Sequence, residues 1–389
     1  MPWDTTNPMS ERLKFVLALR KRRSTFSSLC AAFGVAPKTG YKWLHQFDVA
    51  GVDGLEDRSR RPKSNSRAIS ARVGRRLLDL RGEHPTWGPK KLVAWLRDNE
   101  RGWDVPAAST VGELLKRRGL AVPRKRLKQF HPRTEPLRHA DKSNAVWAMD
   151  FKGWFRLGDG TRCDPLTITD AFSRYLICCK AGTATGNQLS KSVWDALIRA
   201  FREYGMPTAI RIDNGQPWAA PKGDLGLTKL STMILKADIF LERIEPGKPQ
   251  QNGRHERFHL TLKQETALPP SKDMLAQQRR FDEFQLEYNE VRPHEALKQR
   301  PPARVYVPSK RALPESFSEP EYPSWYSVLT LNRWGQGHLR GVTYYISKAL
   351  RDERVGFLEI EEGCFELYFC KLLLGRIHTE HPELGFIAA

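Results

Sequence analysis

No stretch of this 389-residue chain is apolar over the roughly 18 residues that a membrane-spanning helix needs, which argues against a helical span. The opening run, Met1-Pro2-Trp3-Asp4-Thr5, is polar and lacks the hydrophobic region of a secretory signal. Cysteine is scarce: the six residues Cys30, Cys163, Cys178, Cys179, Cys364 and Cys370 are scattered and form no CxxC pair. That excludes a disulfide scaffold and argues against a cysteine-built zinc site, so the expected compartment is a reducing cytosol. Acidic residues are also short, with 44 Asp and Glu against 64 Lys and Arg, a formal net charge of +20. An excess of this size points to a polyanionic partner, and with no membrane segment that partner is nucleic acid. The remaining composition, 40% hydrophobic and 28% charged, is that of a soluble globular chain with room for about two to four domains.

The positive charge is concentrated at one end. Residues 1–140 hold 30 Lys and Arg against 13 Asp and Glu, residues 141–300 hold 24 against 20, and residues 301–389 hold 10 against 11. The first third is therefore the polyanion-binding part.

Helical periodicity organises that third. Leu13, Val16 and Leu17 begin a stripe; Phe26, Leu29, Cys30 and Phe33 form a second; Gly34 interrupts, and Pro37 suits the first turn of a new helix bearing Gly40, Trp43, Leu44 and Phe47. Helix, glycine turn and helix make a helix-turn-helix, whose second helix presents its N-terminal residues to the major groove. Here these are Lys38, Thr39, Tyr41 and Lys42. A three-helix packing module fits the same pattern, and the charge favours DNA. Residues 56–67 read as a basic linker whose Arg58, Arg60 and Arg61 suit a minor groove or a solvated tether. A second helical unit over 68–122 carries the stripes Ile69/Val73/Leu77/Leu80, Leu92/Val93/Leu96 and Val111/Leu114/Leu115, with Lys90 and Lys91 as candidate DNA contacts. The connector 123–143, with Arg124, Lys125, Arg126 and Lys128, is expected to lie on phosphates.

From about residue 144 the pattern becomes α/β. Strands are expected at 146–152, 166–170, 175–179, 208–212 and 239–244, with a helix over 187–204 and a long polar helix after Pro249. Three carboxylates stand at telling places: Asp150 in the first strand, Asp213 at the end of the fourth, and Glu256 on the helix after the fifth. Adjacent first and fourth strands would let the two aspartates converge, with the helix placing Glu256 opposite. Three carboxylates in one pocket repel unless a cation is present. Hard oxygen ligands of this kind suit Mg²⁺ or Mn²⁺, and two such ions about 3.5–4 Å apart serve phosphoryl transfer.

At these residues the chain resembles the bacterial insertion-sequence transposases of the DDE class, whose catalytic core is RNase H-like and of the retroviral-integrase type. The likeness rests on Trp147-Ala148-Met149-Asp150-Phe151, on Ile212-Asp213-Asn214-Gly215, and on the block from Gly247 to His259 that contains Gln250-Gln251-Asn252-Gly253-Arg254-His255-Glu256-Arg257-Phe258. Tyr288-Asn289-Glu290-Val291-Arg292-Pro293-His294 resembles the segment closing such cores, and residues 38–44 and 57–62 resemble the family's N-terminal region. The resemblance implies Asp150, Asp213 and Glu256 as the catalytic, metal-holding triad. It also implies cutting of DNA at the element's ends by water, followed by attack of the freed 3′-hydroxyl on target DNA. Asn252, Glu256, His259 and Lys263 share one helical face, which makes Asn252, His259 and Lys263 further candidate DNA contacts. The partners implied are double-stranded DNA, as terminal repeats and target, and further copies of the chain, at least a dimer. The implied location is the bacterial cytoplasm, associated with the nucleoid.

Two departures accompany the resemblance. Forty-two residues separate Asp213 from Glu256, longer than the superfamily's compact spacing, and the excess around Trp218–Gly226 is expected to form a loop plus a helix. The His/Cys zinc module of retroviral integrases has no counterpart, so no structural zinc is expected.

Proline density over 301–324 reads as an extended linker, and residues 325–389 read as short strands of a small, slightly acidic β-barrel suited to subunit contacts, with His338 and Arg340 able to touch DNA. The sequence thus predicts all-α helix-turn-helix domains at 1–55 and 68–122, an RNase H-like core at 144–300, and the barrel. An active transposase is the leading reading. A DNA-binding regulator with an inactive core is the alternative, and a nuclease of RNA–DNA hybrids is disfavoured by the duplex-reading helices.

Overall fold

The computed structural model describes residues 7–57, 68–121, 140–184, 189–220, 224–244 and 253–389. The chain divides into two compact units, 1–68 and 69–389.

In the first unit α1 (Pro8–Arg20), α2 (Phe26–Ala32) and α3 (Pro37–Ala50) form the predicted helix-turn-helix. Asn7 caps α1 and Thr25 caps α2 by accepting backbone N–H bonds, while Pro37 opens α3. The core is Phe15, Val16, Leu29, Cys30, Trp43 and Leu55. Leu17 is exposed, contrary to the stripe drawn from sequence, because Phe15 takes the inward position. Gly40 is required by close packing: a Cβ there would lie 2.9 Å from Cys30 Sγ and from Phe15 Cζ.

The second unit begins with α4 (Ala71–Glu83), α5 (Pro89–Asn99) and α6 (Ala108–Arg117), built around Leu77, Leu80, Trp87, Leu92, Leu96 and Val111. All three expected stripes face inward.

A mixed sheet follows. It contains β1 (Val146–Phe151), β4 (Leu166–Asp170), β5 (Leu176–Lys180), β6 (Ala209–Ile212) and β7 (Phe240–Arg243), in the order β5-β4-β1-β6-β7. β1 runs antiparallel to β4 and parallel to β6. A small hairpin not foreseen from sequence, β2 (Phe155–Arg156) with β3 (Arg162–Cys163), sits between β1 and β4. Alternation along the strands sends Trp147, Met149, Ile168, Ile210 and Ile212 to one face, where α7 (Leu189–Tyr204) and α8 (Lys229–Lys236) cover them. α9 (Gly253–Thr266) and α10 (Met274–Glu290) pack together through Phe258, Leu262, Phe281, Phe284 and Tyr288, and these reach Leu176 and Cys179 of β5.

The Pro-rich run does not hang free. Tyr306 stacks on Tyr175 at 4.3 Å and its hydroxyl donates to Asn144 Oδ1 at 2.9 Å, while Leu313 and Phe317 pack on the core around α7. Its aromatic and aliphatic side chains gain more by burial than an extended tether would leave them. It is therefore a strap along the core rather than a tether.

The C-terminal strands are β8 (Ser327–Thr330), β9 (Gln336–Leu339), β10 (Val342–Tyr345), β11 (Arg354–Glu361), β12 (Cys364–Phe369), β13 (Leu372–His378) and β14 (Phe386–Ala388). Five form an antiparallel sheet in the order β14-β13-β12-β11-β8, and β9 with β10 makes a separate hairpin. Both pack on one core containing Leu331, Ile346, Val355, Phe357, Leu367 and Phe369. The expected closed barrel is not formed. The edge strands β14 and β8 span only three and four residues, too little ladder to zip the sheet shut.

The extra length between Asp213 and Glu256 has a clear role in this packing. Leu227 and Leu235 lie in the core of the C-terminal sheet, with Leu225 and Leu241 packed against it. Buried Glu353 accepts from Lys229 Nζ at 2.8 Å and from Lys236 Nζ at 2.9 Å. The insertion is the platform on which the C-terminal region docks.

Candidate active site

Asp150 lies in β1 and Asp213 directly follows β6, its parallel neighbour. The β1–β6 pairing sets Val146 beside Ala209 and Ala148 beside Arg211, and each aspartate comes two residues further along its chain. Alternation turns both away from the α7 face, onto the side that also holds Thr167, Thr169 and Arg211. Arg211 is neutralised on that face by Glu242 at 2.7 Å.

The strand ends are fixed locally. Phe151 stacks on buried Trp218 with centroids 5.4 Å apart, which joins the residue after Asp150 to the segment following Asp213. Gly215 N–H donates to Asp213 Oδ1 at 3.0 Å, and Asn214 Nδ2 donates to the Ile244 carbonyl at 2.6 Å. A Cβ on Gly215 would stand 3.2 Å from Asp213 Oδ2, so the glycine leaves the carboxylate its room.

Glu256 lies exposed in the first turn of α9, flanked by residues that hold that helix to the sheet. His255 Nε2 and His259 Nε2 each lie 2.8 Å from Thr167 Oγ1, and His255 Nδ1 lies 3.1 Å from Thr169 Oγ1. Thr167 is directly opposite Asp150 in register and donates to its carbonyl at 3.0 Å. Burial holds both imidazoles neutral: the pKa of His255 falls to about 3, and that of His259 to about 2, with His255 and then Lys152 adding to the effect. Among the described residues no group of three or more His, Cys, Asp or Glu side chains is already assembled around a metal position.

A basic, aromatic border adjoins this face. Lys263 is exposed on α9, and burial, followed by the nearby Lys263 charge, lowers the pKa of Lys152. Exposed Trp154 carries Arg162 at 5.2 Å and Arg156 at 5.8 Å over its ring. Sequence reasoning missed Lys152, Trp154, Gly215 and Thr167. The alternation in Leu166-Thr167-Ile168-Thr169 was the available signal for Thr167, since it puts both threonines on the Asp150 side.

The other sequence candidates divide. In the first unit, Lys38, Tyr41 and Lys42 are exposed on α3 and Thr39 is half-buried. Lys90 is exposed and pairs with Glu295 at 2.5 Å. Lys91 is half-buried, and desolvation, followed by the Arg292 charge, lowers its pKa to about 8 against the opposing pull of Glu265 and Glu287. His259 is half-buried, with its Nε2 2.8 Å from Thr167 Oγ1. Arg58, Arg60, Arg61, Arg124, Lys125, Arg126, Lys128 and Asn252 lie outside the described residues.

Comparison with known proteins matches these elements. An Integrase core domain family matches over residues 140–249, and a second of the same description over 237–302. A Helix-turn-helix domain family matches residues 11–63 and a Homeodomain-like domain family residues 39–115. An uncharacterized 31.7 kDa protein of insertion element IS407 from Burkholderia multivorans is 29% identical over 230 residues, covering 57% of this chain and 76% of that protein. An uncharacterized protein of insertion element IS136 from Agrobacterium fabrum is 29% identical over 181 residues, covering 43% of this chain and 85% of that protein. These matches support an insertion-element protein with an integrase core domain and helix-turn-helix domains. Among solved structures, a chain of the simian T-cell lymphotropic virus intasome aligns with this chain at a TM-score of 0.38 and 16% identity, covering 76% of this chain and 97% of that one. The HTLV-2 integrase catalytic core domain in complex with magnesium aligns at 0.30 and 12% identity, covering 43% of this chain and 97% of that one. No helix among the described residues is long and apolar enough to cross a membrane.

Proposed function

We propose that this chain binds the ends of an insertion element, cuts them, and joins them to target DNA by metal-assisted phosphoryl transfer. The observation that supports the reading is the parallel pairing of β1 and β6, with Asp150 in one strand and Asp213 just after the other, each two residues beyond the Ala148–Arg211 pair. Glu256 enters from α9, held over the same face by His255 and His259.

The donor set fits a hard divalent cation: carboxylate oxygens, with no thiolate or unbound imidazole beside them. Asp150, Asp213 and Glu256 would hold Mg²⁺ or Mn²⁺, as two ions. When bound, the metal supplies Lewis-acid charge at the attacking and leaving oxygens of an in-line displacement at phosphorus. The chain's own contribution is placement. Gly215 and Phe151–Trp218 orient the aspartate ends, and Lys152 and Lys263 offer cations to the DNA backbone beside them. The α3 residues Lys38, Thr39, Tyr41 and Lys42 provide duplex recognition, and pairing of two element ends requires at least two copies of the chain.

Glu256 would have to move towards the aspartates as metal and DNA enter. The separation of Glu256 from the aspartate pair favours the other reading, a DNA-binding regulator with an inactive core. Incubating purified protein with its terminal DNA and Mg²⁺ or Mn²⁺ separates the two. Cutting by wild type and its loss by at least about 100-fold in Asp150→Asn and Glu256→Gln supports the transposase. Equal cutting by all three removes the proposed chemistry, and no cutting by any supports the regulator.

A further inference from the structure

We infer that Thr167 is a positioning residue for the carboxylate site, its hydroxyl oxygen tying the strand that carries Asp150 to the helix that carries Glu256. The inference rests on the catalytic reading above and adds a residue that none of the sequence motifs contains.

Three bonds converge on one atom. Thr167 Oγ1 is 3.0 Å from the Asp150 carbonyl oxygen and 2.8 Å from Nε2 of both His255 and His259. Thr167 is fully buried and His255 is 2% exposed, so water is not an alternative partner for either. The protons can be counted. A carbonyl only accepts, so the single hydroxyl proton of Thr167 goes to Asp150. Its two lone pairs then accept N–H from both imidazoles, which makes each ring the Nε2–H tautomer. Nδ1 of His255 is left as an acceptor, and Thr169 Oγ1 stands 3.1 Å away as its donor. Every proton in the network has one place to go.

The consequence is geometric. The bonds cross from β4 to β1 and from β4 to α9, and they reach the helix on both sides of Glu256 in sequence. Sliding α9 along the sheet would break two buried hydrogen bonds at once. Glu256 is exposed, and among the described residues it has no anchor of its own of this kind, so its distance from Asp150 is set through its neighbours. A merely space-filling residue at 167 would leave Asp150 and Glu256 on separate elements with packing alone between them. Thr167→Val keeps the shape, removes the hydroxyl, and leaves two imidazole N–H groups buried without an acceptor.

The test compares full-length wild type, Thr167→Val, Thr167→Ser and Asp150→Asn on end DNA. Cutting, its Mg²⁺ dependence and DNA binding without divalent ion are measured in parallel. We expect Thr167→Val to bind DNA like wild type but to cut about 30-fold more slowly and to need more Mg²⁺ for half-maximal cutting. Thr167→Ser, which restores the hydroxyl, is expected within about 3-fold of wild type. Thr167→Val that cuts like wild type, or Thr167→Ser that fails as badly as valine, overturns the inference while Asp150→Asn stays inactive. Active Asp150→Asn overturns the catalytic reading and the inference with it. If Thr167→Val does not fold, nitrogen-15 NMR of histidine-labelled wild type decides: Nε2–H tautomers for His255 and His259 support the network, and an Nδ1–H tautomer on His255 sinks it.

Discussion

Phe151 and Trp218 stack with centroids 5.4 Å apart and planes 27° from parallel, joining the residue after one aspartate to the segment that follows the other. Trp218 is 1% exposed and belongs to the main core. Trp218→Ala should cost about 3–5 kcal/mol in chemical denaturation and release both strand ends. Trp218→Phe keeps a ring for the stack and should cost clearly less. Equal losses would mean that a ring at this position does not hold the strand ends.

Gly215→Ala places a methyl 3.2 Å from Asp213 Oδ2. The carboxylate is the softest neighbour, so it moves. Melting temperature should change by no more than about 3 °C, while DNA cutting in Mg²⁺ falls at least about 10-fold. A stable variant of full activity would show that Asp213 tolerates displacement.

Burial alone would raise the pKa of Glu353, but the Lys229 and Lys236 hydrogen bonds outweigh it and hold the carboxylate below its usual 4.5. A depressed folded pKa stabilises above the unfolded value, and that contribution is lost as pH falls through the folded one. Glu353→Gln should loosen the C-terminal sheet from α8 by about 1–3 kcal/mol at neutral pH, and the difference from wild type should shrink in acid. Hydrogen exchange over residues 229–236 would register it. Unchanged protection at pH 7 would remove Glu353 from the docking account.

Glu287 behaves in the opposite sense. Burial pushes its pKa from 4.5 up to about 7, with Arg292 opposing and Glu265 reinforcing. The unfolded chain therefore holds fewer protons between these values, so the contribution is full below pH 4.5 and is lost as pH rises through 7. Wild type should lose stability relative to Glu287→Gln between pH 5 and pH 8, by roughly 3 kcal/mol. Buried His294, lowered to about 3, acts the other way below its ordinary 6.5 and cancels in the comparison. Parallel melting curves for the two proteins would contradict the assignment.

Lys42 is exposed on α3, with its ammonium 4.4 Å from the Trp43 ring centroid. Lys42→Ala should weaken binding to end DNA and reduce the slope of log affinity against log salt by about 1. An unaltered slope would place the phosphate contact elsewhere.

How much of this was legible in the sequence depends on how far apart the interacting residues lie. Helical stripes such as Val73, Leu77 and Leu80 and alternations such as Trp147 and Met149 are local, and their periods alone point the side chains inward. The same locality located Asp150, Asp213 and Glu256 on their elements. Which cations stay open to DNA was not local. Lys90 and Lys91 look like Lys38 and Lys42 in sequence, yet Lys90 is paired with Glu295, some two hundred residues onward, and Lys91 is half-buried beside Arg292, Glu265 and Glu287.

The sequence by itself determined which residues carry charge, which helices and strands form, and where the carboxylates sit along them, because backbone period and residue chemistry need only neighbours. Only the tertiary structure decided that β1 and β6 lie side by side in parallel, that Thr167 joins His255 and His259 to Asp150, and that residues 225–235 seat the C-terminal sheet. Those outcomes follow from sheet order and register, which fix distances between segments that the chain itself keeps far apart.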